Sequence, residues 1–394
     1  MFLEIIIAIL LGVTFGIFTG LIPGIHVNLV SAIIVANIAV VSEVISANMA
    51  LSIIISLAIT HTFLDTIPSI FLGAPDPSTA LSVLPGHRLL NEGKGYEAVK
   101  LTILGSLAGL LISATFFPII LTIIEHIYPF FKNNIVTILT IVSLFIISRS
   151  KSKLRSIIVF MIAGTLGLIS LNSRTENALF PLLTGFFGLS TLILSSQNKI
   201  PQQEFTESTT IKPKEGIFSA VLGTISGFLT AMLPGLGSST AATICSVIKK
   251  DSEPNGFLVM IGAISTVNFF LSIATLITIN KARNGAILAI TQTIQEPNML
   301  IMLSCALISG GLATLIAKPL TKKFLKVIEK VNYKKLIFTL ISFLIIMTFV
   351  LSSFQGLFIL LIATSTGLYS IKKEIPRNTM MACIIVPVLS YFLI

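Results

Sequence analysis

Fourteen apolar runs of roughly twenty residues, each closed by polar or Pro/Gly punctuation, dominate this 394-residue chain. In the first half they fall near 2–22, 25–45, 47–72, 96–124, 133–148, 154–172 and 178–196. In the second they fall near 216–233, 235–249, 257–279, 298–317, 335–352, 354–371 and 378–393. Only 11% of residues are charged and 54% are hydrophobic, with mean hydropathy +0.99. A soluble surface needs roughly a quarter charged residues, so the solvent of this chain is lipid. Soluble catalysis, disulfide scaffolding and nucleic-acid binding fall away. The net charge of +10 is instead explained by basic loops on the cytoplasmic face.

Those loops set the expected topology. Basic residues cluster at Arg149–Arg155, Lys318–Lys335 and Lys372–Arg377, with smaller groups at Lys249–Lys250 and in the stretch 197–215. All follow odd-numbered runs, so all face the cytoplasm if the N-terminus lies outside a multi-pass protein of the cell membrane. The N-terminal Met-Phe-Leu-Glu has no basic leader region and reads as a retained first span. Cys245, Cys305 and Cys383 sit in apolar stretches and read as small core residues.

One segment occurs twice. Gly12-Val-Thr-Phe-Gly16-Ile-Phe-Thr-Gly20-Leu-Ile-Pro23-Gly24-Ile25 aligns without gaps on Gly223-Thr-Ile-Ser-Gly227-Phe-Leu-Thr-Ala231-Met-Leu-Pro234-Gly235-Leu236, at a constant offset of 211. The expected architecture is therefore an all-α polytopic membrane protein of about 14 transmembrane segments in two inverted-topology repeats with broken or re-entrant helices. Its parts are 1–196 as the first repeat, 197–215 as a polar linker and 216–394 as the second repeat. Segments near 73–95 and 280–296 are too polar or broken for lipid-exposed spans and are the re-entrant candidates.

Each Pro-Gly interrupts a helix, and the restarted helix presents free N–H groups and a positive dipole end. His26, Asn28 and Ser31 follow the first break; Gly237, Ser238, Ser239 and Thr240 follow the second. Small polar residues at such an end suit carboxylate or phosphate oxygens. The competing reading is a kinked helix whose hydroxyls bond their own backbone. His61 and Asp65, spaced i, i+4 within a span, form either a proton or sodium relay or a mutually satisfied buried pair. In Pro75-Asp76-Pro77-Ser78-Thr79, Asp76 is a cation-coordinating candidate, and Ser78 and Thr79 are candidates for capping a restarted helix. Asn280, Lys281 and Arg283 beside a break are anion-binding candidates, Arg283 foremost because its fork binds oxyanions bidentately. Their alternative is a surface loop with snorkelling side chains. No nucleophile elbow, metal-ligand set or phosphate loop is present, so the chain reads as a non-enzyme without a metal or cofactor apart from a coupling Na+ or H+.

These motifs, with Gly73-Ala-Pro75-Asp-Pro-Ser-Thr-Ala-Leu and Leu84-Pro-Gly86-His-Arg-Leu-Leu-Asn-Glu-Gly93-Lys-Gly95-Tyr-Glu-Ala98, resemble the large permease subunit of tripartite tricarboxylate transporters, the TctA family. The resemblance is strongest over 12–100 and 223–290. It carries over to Pro23, Gly24, Pro234, Gly235, Gly237 and the Ser78–Thr79 neighbourhood. It implies gradient-driven secondary transport of citrate-like carboxylates, with a small membrane subunit and an extracytoplasmic binding protein as partners. The expected function is thus a cation-coupled secondary transporter of a small organic anion, alternating access between the repeats. The runner-up is a translocase of a lipid-linked phosphate such as a polyprenyl-phosphate carrier, and a third class is an intramembrane enzyme acting on lipid. A homo-oligomer is compatible with either transport reading.

Overall fold

In the computed structural model the described residues are 2–22, 27, 30, 45–72, 83–173, 175, 177–195, 201–206, 211–233, 238, 241–242, 254–293, 297–330 and 333–393. Every regular element among them is helical. The first half contributes α1 (Phe2–Leu21), α2 (Ala47–Leu64), α3 (Thr66–Leu72), α4 (Val83–Asn91), α5 (Gly95–Thr115), α6 (Phe117–Asn133), α7 (Ile135–Ser148) and α8 (Lys153–Asn172). Next come α9 (Leu179–Leu183), a π-helical turn (Thr184–Leu189) and α10 (Ser190–Ser195). The second half contributes α11 (Pro213–Met232), α12 (Pro254–Ile279), α13 (Gly285–Thr293), α14 (Met299–Lys330), α15 (Tyr333–Lys372), a 3-10 turn (Arg377–Met381) and α16 (Ala382–Leu393).

Eight of the described helices are long and apolar enough to cross a bilayer, or up to nine if the bent pair α6–α7 forms one span. Hydropathy runs alone suggested about fourteen. The α6–α7 bend of 76° follows Pro129, which cannot donate to the helix ladder. The 40-residue α15 is longer than one bilayer needs, about 60 Å if straight. It is not straight: Ser353 has φ 53° and ψ −159°. A Cβ placed on Gly356 would lie 3.3 Å from Thr348 Cγ2, whereas residues eight apart in a straight helix are about 12 Å apart. The chain therefore folds back at Ser353, between the runs 335–352 and 354–371.

The duplicated glycines act through close approach. A Cβ on Gly12 would meet Ser56 Cβ at 2.7 Å, and one on Gly16 would meet Thr60 Cβ at 2.6 Å, so α1 lies flush on α2. A Cβ on Gly223 would meet Ala263 Cβ at 2.7 Å, and one on Gly227 would meet Val267 Cβ at 2.7 Å, so α11 lies flush on α12. Ser56 and Ala263, like Thr60 and Val267, are 207 residues apart. The repeat thus persists in the partner helices, where side-chain identity has diverged. The halves also interlock, with α5 packed on α12 and α14 on α2. The largest core cluster centres on α2 and α12, with Leu51, Ile54, Leu57, Val267, Phe270 and Ile273 all buried.

The described part of the polar 197–215 stretch is docked. The buried Gln203 accepts from the Gly95 N–H at 2.8 Å and donates to Leu90 O at 3.0 Å. Lys100 Nζ donates to Thr206 O at 2.7 Å. Cys305 and Cys383 are buried, as expected for small core residues, and Cys245 lies outside the described residues.

Candidate functional site

The polar residues of α2 are tolerated because the helix is enclosed by protein, not lipid. Two of its hydroxyls bond their own helix: Ser52 Oγ donates to Asn48 O at 2.7 Å and Thr62 Oγ1 to Ile59 O at 2.8 Å. His61 (4% exposed) and Asp65 (3%) are buried at the junction of α2 and α3. The Asp65 N–H donates to His61 O at 2.9 Å, and Ser69 Oγ to Asp65 O at 2.8 Å.

Three contacts then run across the molecule. His61 Nδ1 lies 3.1 Å from Thr19 Oγ1, four residues before Pro23. The hydroxyls of Thr62 and Thr266 meet at 3.1 Å and join α2 to α12. Asn268 Nδ2 donates to Ser238 Oγ at 3.4 Å, four residues after Pro234. His61 and Asn268 are themselves 207 residues apart. They stand at matching positions of the two helices and each reaches a residue flanking its half's Pro-Gly.

The Asn280–Asn284 loop forms where one helix stops and another starts. Asn280 has φ 50°, the left-handed conformation asparagine tolerates. Its N–H donates to Leu276 O at 3.1 Å, and the Lys281 N–H donates to Thr275 O at 3.3 Å. Asn284 Oδ1 accepts from the Ile287 N–H at 2.9 Å and caps α13. The asparagines are helix punctuation; Lys281 and Arg283 between them are left to face a cavity of about 510 Å³. Lys132 and Tyr128 enter it from the α6–α7 elbow, Tyr391 from α16, and Leu233 from the end of α11, one residue before Pro234. Arg283 stacks over the Tyr128 ring at 5.5 Å, and its buried Nε and Nη2 carry no hydrogen bond to the described residues. No carboxylate is among the described lining residues, where Lys132, Lys281 and Arg283 bring three cations to one space.

Of the expected site residues, Ser238, Asn280, Lys281, Arg283, His61 and Asp65 are described. The structure brings His61 and Ser238 to the polar crossing and Lys281 and Arg283 to the cavity. Pro23, Gly24, His26, Asn28, Asp76, Ser78, Thr79, Pro234, Gly235, Gly237, Ser239 and Thr240 lie outside the described residues. Sequence reading did not single out Lys132, Tyr128 or Tyr391 as site residues. The i, i+4 spacing of Tyr128 and Lys132 places them on one helix face, but nothing local ties that face to a loop some 150 residues away. Thr19 carried a signal, since its counterpart Thr230 recurs in the duplicated segment.

An all-helical bundle with eight bilayer-length apolar helices, and with polar side chains gathered inside instead of on the surface, is a multi-pass membrane protein. The chain belongs to the tripartite tricarboxylate transporter TctA family, whose model matches residues 6–382. It is therefore a membrane transport protein, of a family whose members generally work with a small membrane subunit and a binding protein. It is 31% identical over 353 residues to an uncharacterized protein of Methanocaldococcus jannaschii, covering 86% of this chain and 88% of that one. No solved structure matches.

Proposed function

We propose that the protein is a cation-coupled secondary transporter of an organic anion of the di- or tricarboxylate kind, alternating access between two inverted repeats, 1–196 and 216–394. The observation that carries this reading is the polar crossing, where Thr19–His61, Thr62–Thr266 and Asn268–Ser238 link the flanks of both Pro-Gly breaks through the two central helices. The breaks direct helix N-termini at the anion. Asn28, Ser78 and Thr79, together with the residues after Pro234, complete the contacts. Lys281 and Arg283 give the outer mouth its positive potential. His61, Asp65 and Asp76 bind the coupling Na+ or H+.

Inversion is supported by a contrast of turns. In the first half, α7 and α8 are joined by the basic residues Arg149–Ser152, whereas the corresponding turn of α15, at Ser353, has no cation from Leu336 to Ile371. By the positive-inside rule the first turn faces the cytoplasm, the second faces outward, and the N-terminus lies outside in the cell membrane. The test is uptake of labelled citrate by proteoliposomes under imposed sodium or proton gradients. Gradient-driven uptake that falls in the His61→Asn variant supports the reading, and absence of gradient-driven uptake overturns it.

Translocation of a lipid-linked phosphate has one observation in its favour: α16 lines the cavity with apolar side chains, and in its last turn Tyr391 is 79% exposed. Flipping of a phosphorylated isoprenoid without citrate uptake would select it.

A further inference from the structure

We propose that the cavity around Arg283 binds an amphiphilic anion, a single oxyanion group on an apolar body, and not a compact hydrophilic polycarboxylate. The inference rests on the anion-binding reading of Lys281 and Arg283 but not on transport. Fifteen described residues line the cavity: three cations, two tyrosines and ten apolar side chains, with no serine, threonine, asparagine, glutamine or acid among these fifteen. The three cations and the lining from α16 come from different elements. Lys132, Lys281 and Arg283 belong to the α6–α7 elbow and the loop before α13. α16 brings no cation and lines the cavity with Ile384, Pro387, Val388 and Phe392 beside Tyr391.

That division fits a head and a body. An oxyanion on the Arg283 fork receives the Nε and Nη2 donors that no acceptor among the described residues takes. The same anion's ring or chain lies against α16. A tricarboxylate carries oxygens on every side, and of the α16 lining only the Tyr391 hydroxyl offers those facing it a hydrogen bond. The volume of about 510 Å³ falls within the roughly 300–1,000 Å³ usual for ligands with a substantial apolar body. Two sources supply this chemistry: a soluble aromatic carboxylate, or the phosphate headgroup of a bilayer lipid whose chains run along α16, where Tyr391 and Leu393 are exposed.

The experiment uses the full chain purified in neutral detergent. Isothermal titration compares 2-naphthoate, acetate, inorganic phosphate and citrate, and native mass spectrometry compares retained phosphatidylglycerol with retained phosphatidylcholine. A soluble source gives 2-naphthoate binding at least about tenfold tighter than acetate, phosphate or citrate, reflecting burial of the ring. That binding is lost in Arg283→Gln and weakened in Val388→Asn. A lipid source gives phosphatidylglycerol that is retained by the native protein, displaced by 2-naphthoate and absent from Arg283→Gln. Citrate binding as tight as 2-naphthoate overturns the proposal, as does the failure of both arms to depend on Arg283. Gradient-driven citrate uptake measured on the same preparations separates the two conclusions. If uptake persists while both binding arms fail, the transport reading stands and this inference falls.

Discussion

The α1–α2 and α11–α12 pairs share one scaffold and carry different chemistry. In both, glycines at matched positions seat one helix on the other at near-backbone distance. In the first, the buried helix bears His61 and Asp65; the corresponding positions of the second hold Asn268 and Ser272. Packing geometry was retained through duplication because a Cβ in the contact is excluded by sterics in either copy. The side chains facing the crossing had no such constraint and diverged. Titratable groups now lie on one side of the pseudo-equivalence, and cations gather beside the end of the other.

The shared scaffold is the first thing to break. Gly16→Leu and Gly227→Leu should each cost about 3 kcal/mol or more, because the side chain meets Thr60 or Val267 with no room to relax. Circular dichroism through an SDS titration measures this. If only one of the two destabilises, the pairs are not equivalent. Next in size is Arg283→Gln, which removes charge-assisted bonds worth about 1.5–3 kcal/mol and should weaken 2-naphthoate binding in isothermal titration roughly ten- to a hundredfold. The matched change in the first half, His61→Asn, copies the second half's residue. It should cost about 1 kcal/mol of stability and abolish the dependence of uptake on the imposed ion gradient. Uptake still driven by the gradient would remove His61 from the coupling path.

The smallest effect should come from a contact between the halves. Lys151 Nζ lies 2.7 Å from Glu374 Oε2, and both side chains are exposed. The hydrogen bond to Lys151 holds the Glu374 carboxyl below its ordinary range, and the same bond holds the Lys151 ammonium above its own. Whatever Glu374 contributes is present above the ordinary carboxylate value and is lost as pH falls through the lowered one. Whatever Lys151 contributes is lost as pH rises through its raised value. Solvent screens both, so Lys151→Met should leave Tm unchanged at neutral pH. A clear drop would mean that this loop helps hold the halves together.

Much of this molecule can be read from local sequence. Apolar runs report the solvent each segment prefers, Pro and Gly mark where helices stop, and the Gly12 and Gly223 segments declare a duplication, since all of these depend on near neighbours along the chain. Asn280 and Asn284 show how such punctuation works: Asn280 turns the chain at φ 50°, and Asn284 Oδ1 caps α13. Convergence of distant residues required the packed bundle. Lys132 shares a cavity with Arg283, Thr62 meets Thr266, and Gln203 in an apparent linker seats itself against Gly95 only because particular helices lie side by side. A residue's preference for water or lipid is written in its own side chain and period. Which other residue it faces depends on how whole helices cross, and that is set by contacts among chain segments far apart in number.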